Sequence, residues 1–165
     1  MCAPVFIAFG VEQNEEVLRY VTLPNIVRNC PDRLKGVRLF AGDWKDVAKL
    51  LEREGLHYDV ILGSDTVYCP ESLVALLTVT TAALDPANKA SEASSSAAPP
   101  AGDADDRFDG RSTAFFTGRT YYFGVGGGTR DLCRTLEKDF PNLRWHRAEH
   151  FTRGVERETV AVTLA

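Results

Sequence analysis

At 165 residues with 44% hydrophobic side chains, the chain is long enough for one ordinary domain with a real core. A formal net charge of -4 argues against a phosphate-tracking surface for DNA or RNA, which is usually strongly basic. Cys2, Cys30, Cys69 and Cys133 form no CxxC pair and stand far from His57, His146 and His150, so neither a zinc site nor a disulfide framework is suggested. No stretch reaches the roughly 20 apolar residues of a membrane-spanning helix, and the N-terminus lacks the basic flank and cleavage site of a signal peptide. A soluble, intracellular protein with free thiols is the expectation.

In chain order, Pro4–Phe9 is an apolar, strand-forming run, followed by a turn and by Val17, Leu18 and Val21 at helical spacing. Proline disfavours helical geometry in the residue before it, so this helix is expected to stop before Pro24, with a second turn of helix at 25–29. Gly36–Ala41 reads as a second strand. Asp43 stands at an N-cap position, and Val47, Leu50 and Leu51 mark the buried stripe of a helix ending near Gly55. Tyr58–Gly63 is a nearly continuous apolar strand, as expected where both faces of a parallel sheet are covered. A helix from about Pro70 to Leu84 follows, with proline in the first turn.

Residues 85–111 are rich in Ser, Ala, Pro and then Asp, and read as a disordered surface insert within a single domain spanning 1–165. A tolerated loop expansion explains them more simply than a docking site. Beyond it, Ser112–Phe123 is β-rich, Thr129–Phe140 has helical spacing at Leu132, Cys133 and Leu136, and strands at Leu143–Phe151 and Glu158–Leu164 form an antiparallel hairpin at the sheet edge. Alternating βα units ending in a hairpin predict a doubly wound α/β sheet, with ligands beyond the C-terminal ends of the strands.

Four strand exits carry chemistry. Glu12 and Asn14 follow the first; an acid there accepts hydrogen bonds from both hydroxyls of a ribose, or simply complements the next helix dipole. Asp43 and Trp44 follow the second, where they suit an adenine amino group and ring, although a plain helix cap and a core indole explain them better unaided. At the third, Ser64-Asp65-Thr66-Val67-Tyr68 puts a carboxylate and an aromatic face on one rim. That pair suits a cationic sulfonium and an oriented nucleophile, or else an ordinary capping loop. The fourth is the glycine-rich Tyr121–Thr129, which invites a phosphate but matches neither GxGxxG nor the Walker pattern.

Taken together, 14-NEEVLRYVTLPN-25, 40-FAGDW-44, 58-YDVILGSDTVY-68 and above all 122-YFGVGGG-128 resemble the protein-histidine N-methyltransferase family, seven-β-strand enzymes dependent on S-adenosylmethionine. The resemblance implies a Rossmann-like methyltransferase fold, with Glu12 where the family usually has Asp on the cofactor ribose and Asn14 beside it. It further implies that Asp43 and Trp44 flank the adenine and that Ser64 lines the cofactor channel. Asp65 and Tyr68 would be the catalytic pair, with Tyr122, Phe123, Gly124, Gly126 and Gly127 on the acceptor side. The implied substrate is a protein, with a ribosomal protein expected, and the implied setting is the cytoplasm and nucleus, with no nucleic-acid or membrane partner.

Lysine methyltransferases of the same superfamily share the Asp-x-x-Tyr exit but not, as a rule, the glycine string. The family's first strand and cofactor loop should precede Pro4, where only three residues stand. The chain is therefore expected to be N-terminally truncated, its sheet left with exposed interior edges and a groove. A non-catalytic fragment acting as a binding module is the reading from outside enzymology.

Overall fold

The structure, a computed structural model, describes residues 11, 12, 14–88, 111–124 and 126–165. The strand expected at Pro4–Phe9 and most of the insert expected at 85–111 lie outside the described residues. The remainder is an α/β fold: β1 (Val11–Glu12), α1 (Glu15–Val17), α2 (Leu23–Asn29), β2 (Phe40–Ala41), α3 (Trp44–Glu54), β3 (Val60–Ser64), α4 (Leu73–Ala83), β4 (Thr113–Arg119), α5 (Thr129–Asp139), β5 (Leu143–Phe151) and β6 (Arg157–Leu164). Of these strands, β1 and β2 pair in parallel as a small sheet. The others form a second sheet in the order β3-β4-β6-β5, parallel between β3 and β4 and antiparallel elsewhere. The C-terminal hairpin is thus as expected, with β5 at the edge and β6 inside.

Two expectations for the segment before α3 are corrected. The first helix does not stop before Pro24. A π-helical segment, Leu18–Thr22, joins α1 to α2, and the Leu23 N–H donates to the Leu18 carbonyl. This wider turn shifts the hydrogen-bond register, so Pro24 falls in the first turn of α2, where a missing N–H leaves nothing unpaired. The second strand is only Phe40–Ala41, because Pro31–Gly36 winds into a 3-10 helix closed by the Val37 N–H on Leu34 O.

α3 follows its sequence signals closely. The Asp43 carboxylate accepts from the Lys45 N–H at 2.8 Å, and Gly55 ends the helix in the left-handed conformation at φ +60. Its buried Val47, Ala48 and Leu51 pack on Val79, Ala82 and Ala83 of α4. The main core lies between α4 and α5 on one side and one face of the sheet on the other. Leu73, Leu76, Leu77, Leu132 and Leu136 meet Ala114, Phe116, Val160 and Val162 there, each such leucine worth about 1.5–3 kcal/mol on burial. Trp44 touches both clusters and so ties α3 to this core.

One buried ionic contact fastens the start of α5 to the hairpin. Glu158 accepts from Thr129 Oγ1 at 2.7 Å and pairs with Arg147 Nε at 2.8 Å. The carboxylate is thereby satisfied on both oxygens, as a buried charge requires.

β3 departs from the reading that both its faces are covered. Ile61 turns toward the α4–α5 side, whereas Val60 and Leu62 on the opposite face are 43% and 77% exposed. The helices α4 and α5 that bury their stripes against this sheet share the Ile61 face, so the period-2 alternation leaves every second residue of β3 uncovered. Among the described residues the small β1–β2 sheet pairs with no strand of the larger sheet.

Candidate functional site

Because β3 and β4 are parallel with Ser64 opposite Thr117, their C-terminal exits open at the same end of the sheet. β6 runs antiparallel to β4, so its first residue, Arg157, arrives there too, in register with Arg119. Three segments distant in sequence meet at this rim, and Asp65 is their focus.

Asp65 ends β3 with φ +52, a left-handed conformation uncommon for a residue with a side chain, and its N–H donates to Thr117 O at 2.8 Å. The Tyr122 hydroxyl donates to Asp65 Oδ1. Arg157 Nη1 lies 3.2 Å from Asp65 Oδ2 and 3.4 Å from Oδ1, spanning the carboxylate. Tyr122 Oη in turn accepts from the Arg119 N–H at 3.2 Å, while the Arg119 guanidinium sits 5.5 Å from the centre of the Tyr122 ring.

The electrostatics follow from these contacts. The Tyr122 hydrogen bond, followed by Arg157, holds the Asp65 carboxyl below its usual range. Burial and then the bond to Asp65 push the Tyr122 phenol up. The pair therefore sits as carboxylate acceptor and phenol donor at neutral pH.

Tyr68, an exposed ring, stands edge-on to Tyr122 at 6.4 Å between centroids. Tyr121 and Phe123 form a second edge-on pair at 5.2 Å, with Phe123 90% exposed. The ionised carboxylate thus bonds one aromatic side chain, Tyr122, which itself stands against the exposed ring of Tyr68. Just behind it, Thr66 Oγ1 is buried with no hydrogen-bond partner among the described residues.

The glycine string has a packing explanation. A Cβ on Gly127, at φ +76, would lie 2.5 Å from the backbone of Tyr68, and one on Gly128 would strike the Thr120 carbonyl. The Gly128 N–H donates to Val67 O at 2.7 Å and the Gly126 N–H to Tyr122 O at 3.0 Å. The Gly128 amide is spent on laying the loop after β4 against the loop after β3, and the Gly126 amide on closing its own loop, so neither is left to cradle a phosphate. Gly124, by contrast, has open space around it.

At the other exit, Glu12 occupies the last position of β1, opposite Ala41 at the end of β2, so both strands of the small sheet end at the same side. Asn14 Oδ1 caps α1 through the Glu16 N–H at 2.9 Å, and Asp43 Oδ1 caps α3. Each cap occupies one oxygen, leaving the second Asp43 oxygen and the Asn14 amide for a ligand. With the half-buried Trp44 beside them, these groups have the chemistry that the adenine and ribose of S-adenosylmethionine require, a hydrogen-bond acceptor and an aromatic plane. Ser64 lies at the rim of the larger sheet, one residue before Asp65.

The structure thus brings Asp65, Tyr68 and Tyr122 together and places Glu12, Asn14, Asp43 and Trp44 at the neighbouring exit of the small sheet. Arg157 and Arg119 were not singled out from the sequence. A lone arginine 92 residues from its carboxylate carries no local signal; only the β4–β6 register reveals it. Among the described residues no cluster of His, Cys, Asp and Glu is arranged to hold a metal ion, and no helix is long and apolar enough to cross a membrane.

No protein-family model matches the chain. It is, however, similar to known proteins: it is 34% identical over 126 residues to the histidine protein methyltransferase 1 homolog of Dictyostelium discoideum, covering 76% of this chain and 32% of that protein. The homologs of Mus musculus and Bos taurus are 29% and 30% identical over 77% of this chain, covering 35% and 34% of their own lengths. The chain spans about a third of the length of these relatives. Across that shared stretch the chain belongs to the histidine protein methyltransferase family.

Proposed function

We propose that the chain carries the acceptor half of a methyltransferase that transfers a methyl group from S-adenosylmethionine to a histidine side chain of a protein, with a ribosomal protein as the expected substrate. The carrying observation is the ionised Asp65, held by Tyr122 and Arg157, with Tyr68 against Tyr122, at the open end of β3. The relatives' names supply the reaction class; the site's chemistry supports the choice of acceptor.

Bound S-adenosylmethionine would supply a sulfonium methyl, which an imidazole lone pair attacks as the S–C electron pair returns to sulfur, giving S-adenosylhomocysteine and a methylimidazolium. Glu12, Asn14, Asp43 and Trp44 are the residues to hold its nucleoside, and Ser64 to line the channel toward the rim. Asp65 accepts the N–H of the acceptor ring, so that the opposite nitrogen presents its lone pair, and it steadies the positive charge that develops. Tyr68 and Tyr122 contribute aromatic faces that favour a cation over bulk anions. Histidine, with an unperturbed pKa near 6.5, needs no base to expose its lone pair at neutral pH.

Lysine is the weaker reading, because an ammonium with pKa near 10.4 must first lose a proton and the depressed Asp65 is poorly suited to take it. The exposed Leu62 face favours a third reading, a fragment that binds partners without catalysis. Protein expressed as this chain, incubated with methyl-labelled S-adenosylmethionine and a cell extract, is expected to yield methylhistidine on mass spectrometry. Methyllysine would replace histidine by lysine as acceptor. No transfer, together with no calorimetric binding of S-adenosylhomocysteine, would leave the non-catalytic reading standing. A cytoplasmic and nuclear location, open to fractionation, goes with the proposed substrate.

A further inference from the structure

The β4–β6 register sets Arg119 and Arg157 opposite one another, an arrangement of like charges that is unfavourable unless an anion sits between or beside them. Asp65 is that anion, reached by Arg157 at both oxygens. The ion pair is open to water, with side-chain exposures of 39% for Arg157 and 46% for Asp65, so its contribution to stability is small. A strained backbone at Asp65, a phenol on its Oδ1 and a guanidinium across both oxygens nevertheless fix one orientation of a surface carboxylate. Oδ1 accepts from both Tyr122 and Arg157 and Oδ2 from Arg157 alone, so the lone pair left for a ligand is on Oδ2.

We propose that Arg157, delivered by the C-terminal hairpin, is a positioning residue that locks the Asp65 carboxylate with Oδ2 toward the acceptor ring and thereby decides which imidazole nitrogen is methylated. This rests on the histidine reading above. A carboxylate free to rotate presents either oxygen, at different distances from the methyl, so both ring nitrogens would reach the line of attack. A locked one accepts from a single N–H and leaves only the other nitrogen's lone pair in line. Arg157 touches neither substrate nor methyl group; it acts through Asp65.

The test compares the wild-type chain with Arg157→Gln and Arg157→Lys, using a pool of synthetic peptides each with one central histidine. Acid hydrolysates are resolved into the two ring-nitrogen isomers of methylhistidine. The wild type is expected to give one isomer. Arg157→Gln is expected to lower kcat about tenfold with KM changed less than about twofold, and to yield both isomers, while its melting temperature stays within about 3 °C. Arg157→Lys, which keeps the charge without the rigid planar guanidinium, is expected to restore most of the rate but not the full selectivity. An unchanged isomer ratio and kcat in Arg157→Gln would overturn the positioning role while leaving histidine methylation intact. A wild type that methylates no histidine would overturn the histidine reading itself, and this role with it.

Discussion

The two ends of the site are built differently. At the exits of β1 and β2 the polar side chains are engaged locally, Asn14 with Glu16 and Asp43 with Lys45, two residues along in each case. At the exits of β3 and β4 nearly every contact is long-range: Asp65 with Tyr122 and Arg157, Gly128 with Val67, Thr129 with Glu158. Local caps form wherever the helix forms, whereas the acceptor rim exists only if β3, β4 and β6 are in register. A change at the rim should therefore disturb the whole sheet end, and a change at a cap only its own helix.

The largest break in that contrast is expected from Gly127→Ala. Its Cβ has no room beside Tyr68 and its backbone sits at φ +76, so a loss of about 3 kcal/mol in urea denaturation is expected, together with displacement of Tyr122 from Asp65. Glu158→Gln comes next: removing the charge that joins Thr129 to Arg147 should cost about 2 kcal/mol by the same assay. Asp43→Ala, on the capping side, should cost only about 1 kcal/mol, read as lost helicity by circular dichroism, without altering the Tyr122–Asp65 contact. If Asp43→Ala proves as damaging as Gly127→Ala, the two ends are not independent.

Two pH effects sharpen the comparison further. Burial pushes the Cys133 thiol in α5 from 9.0 up to about 11, so the folded chain holds this proton more tightly than the unfolded one. Stability from this group is complete below about pH 9 and is lost as pH rises toward 11, and Cys133→Ala should flatten that alkaline limb of a denaturation profile. Asp65 behaves oppositely. Its folded value is depressed by Tyr122 and Arg157, so its small contribution is present above the ordinary carboxylate value of about 3.9 and fades as pH falls through the folded value. Asp65→Asn should remove that acid-side difference while leaving the Cys133 contribution to the alkaline limb in place.

Much of the fold was legible from residue patterns. The stripe Val47, Leu51, the cap Asp43 and the terminator Gly55 defined α3 because helical periodicity and capping are local properties. The hairpin β5–β6 was legible because alternation and a short connection leave few other pairings. The continuation of helix through Pro24 was not, since a proline looks like a stop unless the preceding turn widens, and nothing in Leu18–Thr22 announces a π segment. The full apolar run of β3 suggested burial on both faces, but hydrophobicity states what a residue prefers, not what lies across from it.

The site divides along the same line. Asp65 and Tyr68 were marked by type and spacing on one rim and the glycine string at the next strand exit, and only the family resemblance put both on the acceptor side. That the glycines serve loop-on-loop packing, that Tyr122 bonds Asp65, and that Arg157 closes the cluster were decided by tertiary structure alone. The sequence by itself determined the helices with local caps, the strand alternation and the residue types at each exit, because these depend on neighbours within a few positions. Which carboxylate meets which arginine across 92 residues was left to strand register, a property of the assembled sheet that no segment carries alone.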